Sequence, residues 1–354
     1  MYTYADLLGL SERFSEHLVP RSLIFIGCEN SLESIVAYVS CLRSGVVPLL
    51  LSRDVPDETL YHLEAIYHPR YCWFPSRRDL LVKGKEKYSL GGYSLIQYDG
   101  DSPVLPEGLA LLLTTSGSTG SPKLVRLSHD NLKSNACSII EYLKITSSEK
   151  AITSLPMYYS YGLSVLNSHL LAGATLLLTD KSYVQREFWK FVLEEKATSF
   201  AGVPFTYEIL KKMRFEKFLP SSVKVMTQAG GKLNSSLIKY FSEYARLHDI
   251  RFYVMYGQTE ATARMSYLPA EYTLNKVGSV GVAIPGGHFS LIDEDGMRIV
   301  SPNVEGELVY EGSNVFWGYA ESLDDLFKGD ENKGILYTGD LAYVDSEGFY
   351  YISG

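Results

Sequence analysis

The densest run of groups able to hold an anion is Thr114-Thr115-Ser116-Gly117-Ser118-Thr119-Gly120-Ser121-Pro122-Lys123. Its hydroxyls and backbone N–H groups can point at phosphate oxygens, and its glycines permit close approach and positive dihedrals. Lys123 adds a cation at the rim. The run is not a P-loop, because Lys123 follows Pro122 where a Gly-Lys-Ser/Thr step is required, and it lacks the spacing of a dinucleotide fingerprint. On composition alone it is equally a phosphate cradle or a solvated surface loop. A second cluster, Tyr256-Gly257-Gln258-Thr259-Glu260, sets an aromatic face, a hydroxyl and a carboxylate side by side. A carboxylate repels phosphates unless a cation intervenes, so Glu260 is either a Mg²⁺ ligand or an exposed turn glutamate. Tyr337-Thr338-Gly339-Asp340 reads as a third polar turn, whose aspartate can accept two ribose hydroxyls.

These clusters need a scaffold, and the sequence supplies the grammar of one. Apolar runs at 22–27, 46–51, 71–74 and 109–115 read as strands, with helical periodicity between the first three. Pro48 inside the second run leaves its pairing open. Ser128 can cap a helix over 129–143. The pattern then repeats with strands at 174–179, 197–202, 222–228 and 250–257, and helices at 187–196 and 234–247. Pro204 suits the first turn of a further helix. Strand and helix in alternation predict parallel sheets covered by helices, with ligands at the strand ends. Beyond residue 275 glycines interrupt short runs such as FSLID and GELVY, which predicts a small β-rich module ending in a hairpin turned at DSEG.

Composition narrows the function. A chain of 354 residues with 46% hydrophobic and 21% charged residues is globular and long enough for two or three subdomains. Lys plus Arg is 33 and Asp plus Glu is 41, a net charge of −8 that argues against nucleic acid as the main partner. The cysteines, Cys28, Cys41, Cys72 and Cys137, form no CxxC pair and read as reduced thiols. Asp6 and Glu12 stand where a signal peptide would be basic and then apolar, and no apolar run reaches the length of a membrane span. The expectation is a cytoplasmic protein, a monomer or weak homodimer.

In their order and spacing, TTSGSTGSPK at 114–123, YGQTEA at 256–261 and YTGD at 337–340 resemble the adenylate-forming superfamily of acyl- and aryl-CoA synthetases, luciferases and the adenylation domains of peptide synthetases. GELVYEG at 306–312 and NVFWGY at 314–319 extend the likeness. The resemblance implies an α/β fold of two α/β subdomains with largely parallel sheets, here 1–170 and 171–275, and a small distorted β-barrel at 276–354. It also implies site roles. Thr115, Ser116, Gly117, Ser118, Thr119, Gly120 and Lys123 would surround the ATP phosphates. Gly230, Gly231, Tyr256 and Gly257 would border adenine, Thr259 would meet the α-phosphate, Glu260 would hold Mg²⁺ and Asp340 would accept the ribose. Thr115, Lys123, Thr259 and Glu260 would carry catalysis. Tyr159, Ser160, Gly162 and Gly230 would line the substrate pocket.

The implied reaction has two steps. A carboxylate attacks the α-phosphorus of ATP, releasing pyrophosphate and leaving an acyl-adenylate; a thiol of coenzyme A or of a carrier's phosphopantetheine then displaces AMP. The carboxylate is already ionised near neutrality, so alignment and charge neutralisation must supply the catalysis. Tyr159 stands where many relatives have histidine, and the segment around it lacks the aspartate that holds an α-ammonium group, which favours an acyl or aryl acid over an amino acid. Lys232 stands where many relatives have a small residue or glutamate. Family members also continue past the counterpart of Gly354 through an arginine into a C-terminal domain whose lysine bridges carboxylate and phosphate. The resemblance therefore implies impaired adenylation by the chain as it stands. An amino-acid or acyl adenylation enzyme that loads a carrier protein, such as an acyl carrier protein, and a nucleotide-binding pseudoenzyme or structural module, stay open beside the acid–thiol ligase.

Overall fold

A computed structural model describes residues 1–76, 84–114 and 123–354. The loop residues Thr115, Ser116, Gly117, Ser118, Thr119 and Gly120 lie outside the described residues. Two compact units, interleaved along the chain, hold the structure. One comprises Met1–His129, Pro156–Tyr159 and Phe316–Glu331; the other comprises Asp130–Leu155, Ser160–Val315 and Asn332–Gly354.

The chain begins with α1 (Tyr4–Ser15), then alternates β1 (Leu23–Cys28), α2 (Leu32–Ser44), β2 (Val47–Ser52), α3 (Asp57–Tyr67) and β3 (Tyr71–Pro75). Next come β4 (Gly84–Leu90), β5 (Tyr93–Tyr98), β6 (Leu109–Thr114), β7 (Leu124–Ser128) and α4 (His129–Leu143). The middle runs β8 (Lys150–Ile152), α5 (Ser160–Leu171), β9 (Thr175–Leu177), α6 (Arg186–Glu194), β10 (Ser199–Gly202) and α7 (Pro204–Lys212). It continues with β11 (Val225–Gln228), α8 (Ser235–Leu247), β12 (Arg251–Tyr256), β13 (Ser266–Leu268) and β14 (Val282–Ala283). The last strands are β15 (Gly287–Ile292), β16 (Arg298–Ile299), β17 (Gly306–Gly312), β18 (Gly318–Ala320), β19 (Ile335–Val344) and β20 (Tyr350–Ile352).

In the first unit the strands form one sheet in the order β18-β7-β6-β2-β1-β3-β5-β4. Its centre is parallel, and every residue of β1 is buried, as expected where helices cover both faces. Pro48 sits within β2 without breaking it. The Val47 N–H donates to Ser22 O on the β1 side, so the position without a donor faces the β6 side, where recorded pairing starts at Leu49. The flanks are antiparallel: β3 with β5, β5 with β4, β6 with β7, and β7 with β18. The sheet is thus mixed, whereas the sequence predicts a largely parallel one. The polar strand β4 lies at the edge with most residues exposed, and its hairpin closes through Gly91 and Gly92 at φ +56° and +86°.

Arg126, in the middle of β7, is fully buried. It donates to the carbonyls of Trp317 (3.4 Å), Tyr319 (3.3 Å), Gly329 (3.2 Å) and Lys328, and pairs with the Glu331 carboxylate. A buried guanidinium needs such a full set of acceptors, and these fasten residues 317–331 to β7.

The second unit has two sheets. The larger, in the order β14-β13-β12-β11-β10-β8-β9, is parallel from β12 through β9 and antiparallel at β13 and β14. Phe188, Phe200, Tyr207, Phe241 and Phe252 fill the core against it. Pro204 is the first residue of α7, as its missing N–H predicts. The smaller sheet, β16-β15-β17-β19-β20, is wholly antiparallel, and Asp345–Gly348 form the turn of its last hairpin. The sequence predicts YTGD as a turn; it lies instead inside β19. Between the pairs Glu307–Leu341 and Val309–Tyr337, β17 spends one residue and β19 three. Gly339 absorbs that bulge at φ +72°, a conformation that suits glycine.

Candidate functional site

Parallel pairing of Gln228 with Val254 runs the carboxyl ends of β11 and β12 to the same edge of the sheet, β12 reaching two residues further, so the turns at 229–233 and 257–260 both leave from that edge. A cavity of about 280 Å³ there is lined by Gly230, Gly231, Tyr256, Gly257 and Asp340, five of the residues expected around a nucleotide. Strand ends of a parallel sheet are where α/β folds bind ligands. Gly231 holds φ +152°, which side chains rarely adopt. At Gly257 a Cβ would lie 1.8 Å from the Ala263 carbonyl oxygen, so the fold-back of residues 257–263 requires glycine.

The bulge in β19 aims Asp340 at this cavity. Its Oδ2 accepts from the Tyr256 hydroxyl (2.5 Å) and from Gln258 Nε2 (3.0 Å). Gln258 Nε2 also donates to Thr338 O (3.0 Å). Behind the carboxylate, Thr338 Oγ1 accepts from the Asp340 N–H (3.1 Å) and donates to Leu308 O (2.7 Å). Burial, reinforced by Asp340, pushes the Tyr256 hydroxyl well above the usual tyrosine range, so it remains a donor. The ring of Tyr256 thus borders the cavity while its hydroxyl orients the aspartate. Gln258, to which the sequence gives no role, is the second clamp. Its place inside YGQTE is the signal that could have found it.

Thr259 and Glu260 form a single 3-10 turn beyond β12. Thr259 Oγ1 and Ser160 Oγ lie 3.1 Å apart, which joins the expected α-phosphate residue to the expected substrate pocket. Ser160 and Gly162 occupy the first turn of α5 and are buried. Tyr159 belongs to the first unit and is partly buried; burial raises its hydroxyl above the ordinary range and keeps it neutral. Lys123, also in the first unit, pairs with Glu321 Oε1 at 2.8 Å and lies 5.6 Å from the Tyr319 ring. Lys232 lines the cavity and donates to Ile352 O at 3.3 Å. Among the described residues no group of three or more acidic, histidine or cysteine side chains could cage a metal. Glu260 offers one carboxylate on the 3-10 turn beyond β12, and Mg²⁺, which takes one or two carboxylates and completes its shell with phosphate oxygens and water, is a cation that such a residue could hold.

Residues 1–320 match the AMP-binding enzyme family. The chain belongs to that family. It is 32% identical over 331 residues to a 2-succinylbenzoate–CoA ligase of Bacillus cereus, covering 92% of this chain and 66% of that protein. A second ligase of that name, from Bacillus cytotoxicus, is 32% identical over 68% of this chain and 48% of its own length. The chain therefore spans about half to two thirds of the length of these curated relatives. Among solved structures, the N-terminal domain of FACL13 from Mycobacterium tuberculosis superposes with a TM-score of 0.81 at 18% identity, over 99% of this chain and 92% of that one. The o-succinylbenzoate CoA synthetase of Bacillus subtilis in complex with its acyl-adenylate gives 0.79 at 23% identity, over 99% of this chain and 72% of that one. These likenesses establish an α/β adenylate-forming fold with mixed sheets. Among the described residues no helix is long and apolar enough to cross a membrane.

Proposed function

We propose that the protein activates a carboxylic acid with ATP, forming an acyl-adenylate and pyrophosphate, and that the complete enzyme passes the acyl group to the thiol of coenzyme A or of a carrier's phosphopantetheine. The observation that carries this reading is the cavity into which Gly230, Gly231, Tyr256 and Asp340 converge. Adenine rests against Tyr256 and the Gly230–Gly231 backbone, and Asp340, held by Tyr256 and Gln258, accepts the ribose hydroxyls. Thr259, steadied by Ser160, donates to the α-phosphate where charge develops. Glu260 would hold Mg²⁺, which when bound neutralises phosphate charge. By the resemblance of their motif, Thr115, Ser116, Gly117, Ser118, Thr119, Gly120 and Lys123 are the residues that would contact the β- and γ-phosphates. Tyr159, Ser160, Gly162 and Gly230 receive the acid.

The antiparallel sheet of β15, β16, β17, β19 and β20 corresponds to the family's distorted barrel. The cytoplasm, which holds ATP and the acceptor thiols, is the expected compartment. Two relatives' names make 2-succinylbenzoate the first acid to try. The test is ATP–pyrophosphate exchange by the full-length gene product over a panel of aryl, acyl and amino acids. Exchange with an aryl or acyl acid is expected; AMP binding without exchange for any acid would leave a nucleotide-binding protein and refute the reading.

A further inference from the structure

Arg264 lies just before β13 and is 2% exposed, and its side-chain partners among the described residues include no carboxylate. Burying an unpaired charge is expensive, and an apolar side chain would pack such a place at less cost. The guanidinium instead spends its donors on hydroxyls from two helices. Nε donates to Ser164 Oγ on α5 (3.0 Å), and the terminal nitrogen donates to the Tyr142 hydroxyl on α4 (2.9 Å). The same group lies 5.1 Å from the ring of Tyr161, also on α5. Tyr142 in turn donates to Met255 Sδ on β12 (3.1 Å), and the Tyr161 hydroxyl meets Thr227 Oγ1 on β11 (2.8 Å). Asn135 and Asn314 both donate to the Arg264 carbonyl, at 2.9 and 3.1 Å, which fixes the backbone from which the fork extends.

One helical turn before Ser164 stands Ser160, whose hydroxyl meets Thr259. We infer that Arg264 is a positioning residue for adenylation. Its planar fork sets α5 against β12, so that Ser160 holds the Thr259 hydroxyl toward the α-phosphate. A lysine would keep the charge but lose the fixed geometry that grips Ser164 and Tyr142 together. The inference rests on the adenylation reading above. It adds a residue outside the three motifs, one that is not part of the lining of the cavity at the ends of β11 and β12.

The experiment is single-turnover adenylate formation by the full-length gene product, with AMP binding measured by calorimetry on each variant. Arg264→Met and Ser160→Ala are made singly and together. Misplacing a catalytic group by about 1 Å costs on the order of a hundredfold, so each single variant should lose about ten- to a hundredfold in rate while AMP affinity changes less than threefold. The double variant should be no slower than the slower single one, because both changes release the same hydroxyl. Arg264→Lys should keep AMP binding and remain slow. Should Arg264→Met not fold, Ser164→Ala replaces it in the same cycle, with the same expected non-additivity. Multiplicative losses in the double variant, or an unchanged rate in Arg264→Met or Ser164→Ala, would overturn the proposal alone. Absence of adenylate in the unaltered protein with every acid would overturn the adenylation reading and this inference with it.

Discussion

Two donors converge on one oxygen of Asp340, so this carboxylate is aimed before any ligand arrives. Asp340→Ala should weaken AMP binding by about 1–3 kcal/mol, the range for losing charge-assisted hydrogen bonds, or roughly five- to 150-fold in Kd by calorimetry. Tyr256→Phe keeps the ring and removes one clamp, so its loss should be smaller; equal AMP affinity in all three proteins would detach Asp340 from the ribose. Glu260→Gln should leave AMP affinity intact and shift the Mg²⁺ dependence of pyrophosphate exchange to higher concentration, and superimposable Mg²⁺ titrations would take Glu260 out of the metal site. The residues named here were legible because each sits in a short polar cluster that interrupts an apolar run. Gln258 stood in plain view, but its partner Asp340 is eighty-two positions away, and no spacing rule links them. Arg264, Tyr142 and Ser164 left no signal at all, since a buried cation held by hydroxyls looks, in one dimension, like any arginine in any turn.

At the level of single elements, helix α5 carries the buried His169. Burial pushes its pKa down to about 4, with Arg264 adding to the effect, while Nδ1 lies 2.8 Å from Val165 O. The unfolded chain takes up this proton near pH 6.5 and the folded chain refuses it, so stability falls as the pH drops from about 6.5 toward 4 and is level above about 7. Between pH 7.5 and 5 this one group should remove roughly 2 kcal/mol, measured as the difference between the urea midpoints of the native protein and a His169→Gln variant at the two pH values. A pH dependence identical in both proteins would exclude His169 as its source. The turn after β12 makes a second element-level test. Gly257→Ala must displace the Ala263 carbonyl, and both AMP affinity and thermal midpoint should drop, whereas the exposed Gly296, with open space around it, should tolerate alanine better on contacts though not on its φ of +77°. Apolar strands such as β1, β6 and β12 were readable from their runs. The strands β4 and β7 were not: one is polar and lies on an edge, the other is short and places an arginine in the core. The bulge in β19 hid a strand behind residues typical of turns.

Among the described residues, each unit buries an apolar cluster of its own. Leu23, Phe25, Leu49 and Leu112 belong to the first unit, and Phe200, Phe241 and Phe252 to the second. The residues proposed to hold adenine and ribose, Gly230, Gly231, Tyr256 and Asp340, all lie in the second unit. AMP at a hundred times its Kd should add about 2.7 kcal/mol to whatever unfolds with that cavity. Scanning calorimetry should therefore resolve two transitions, of which AMP raises one; a single transition that moves as a whole would show that the units melt together. The interleaving of the units was beyond the reach of a linear reading, which predicts consecutive subdomains, because strand partners far apart in sequence leave no local trace. It also has a consequence for biosynthesis. Strand β7 finds its neighbour β18, and Arg126 the Tyr319 carbonyl, only after a further 193 residues have been made. At about 5–20 residues per second the ribosome needs roughly 10–40 s to deliver them, and throughout that time β7 presents an open edge. Open edges recruit other chains, and an inward-pointing charge is one of the devices that discourages them. An Arg126→Leu variant, which puts an apolar side chain on that edge, should therefore give a lower soluble yield during synthesis, and a yield equal to that of the unaltered chain would limit Arg126 to its part as a buried anchor.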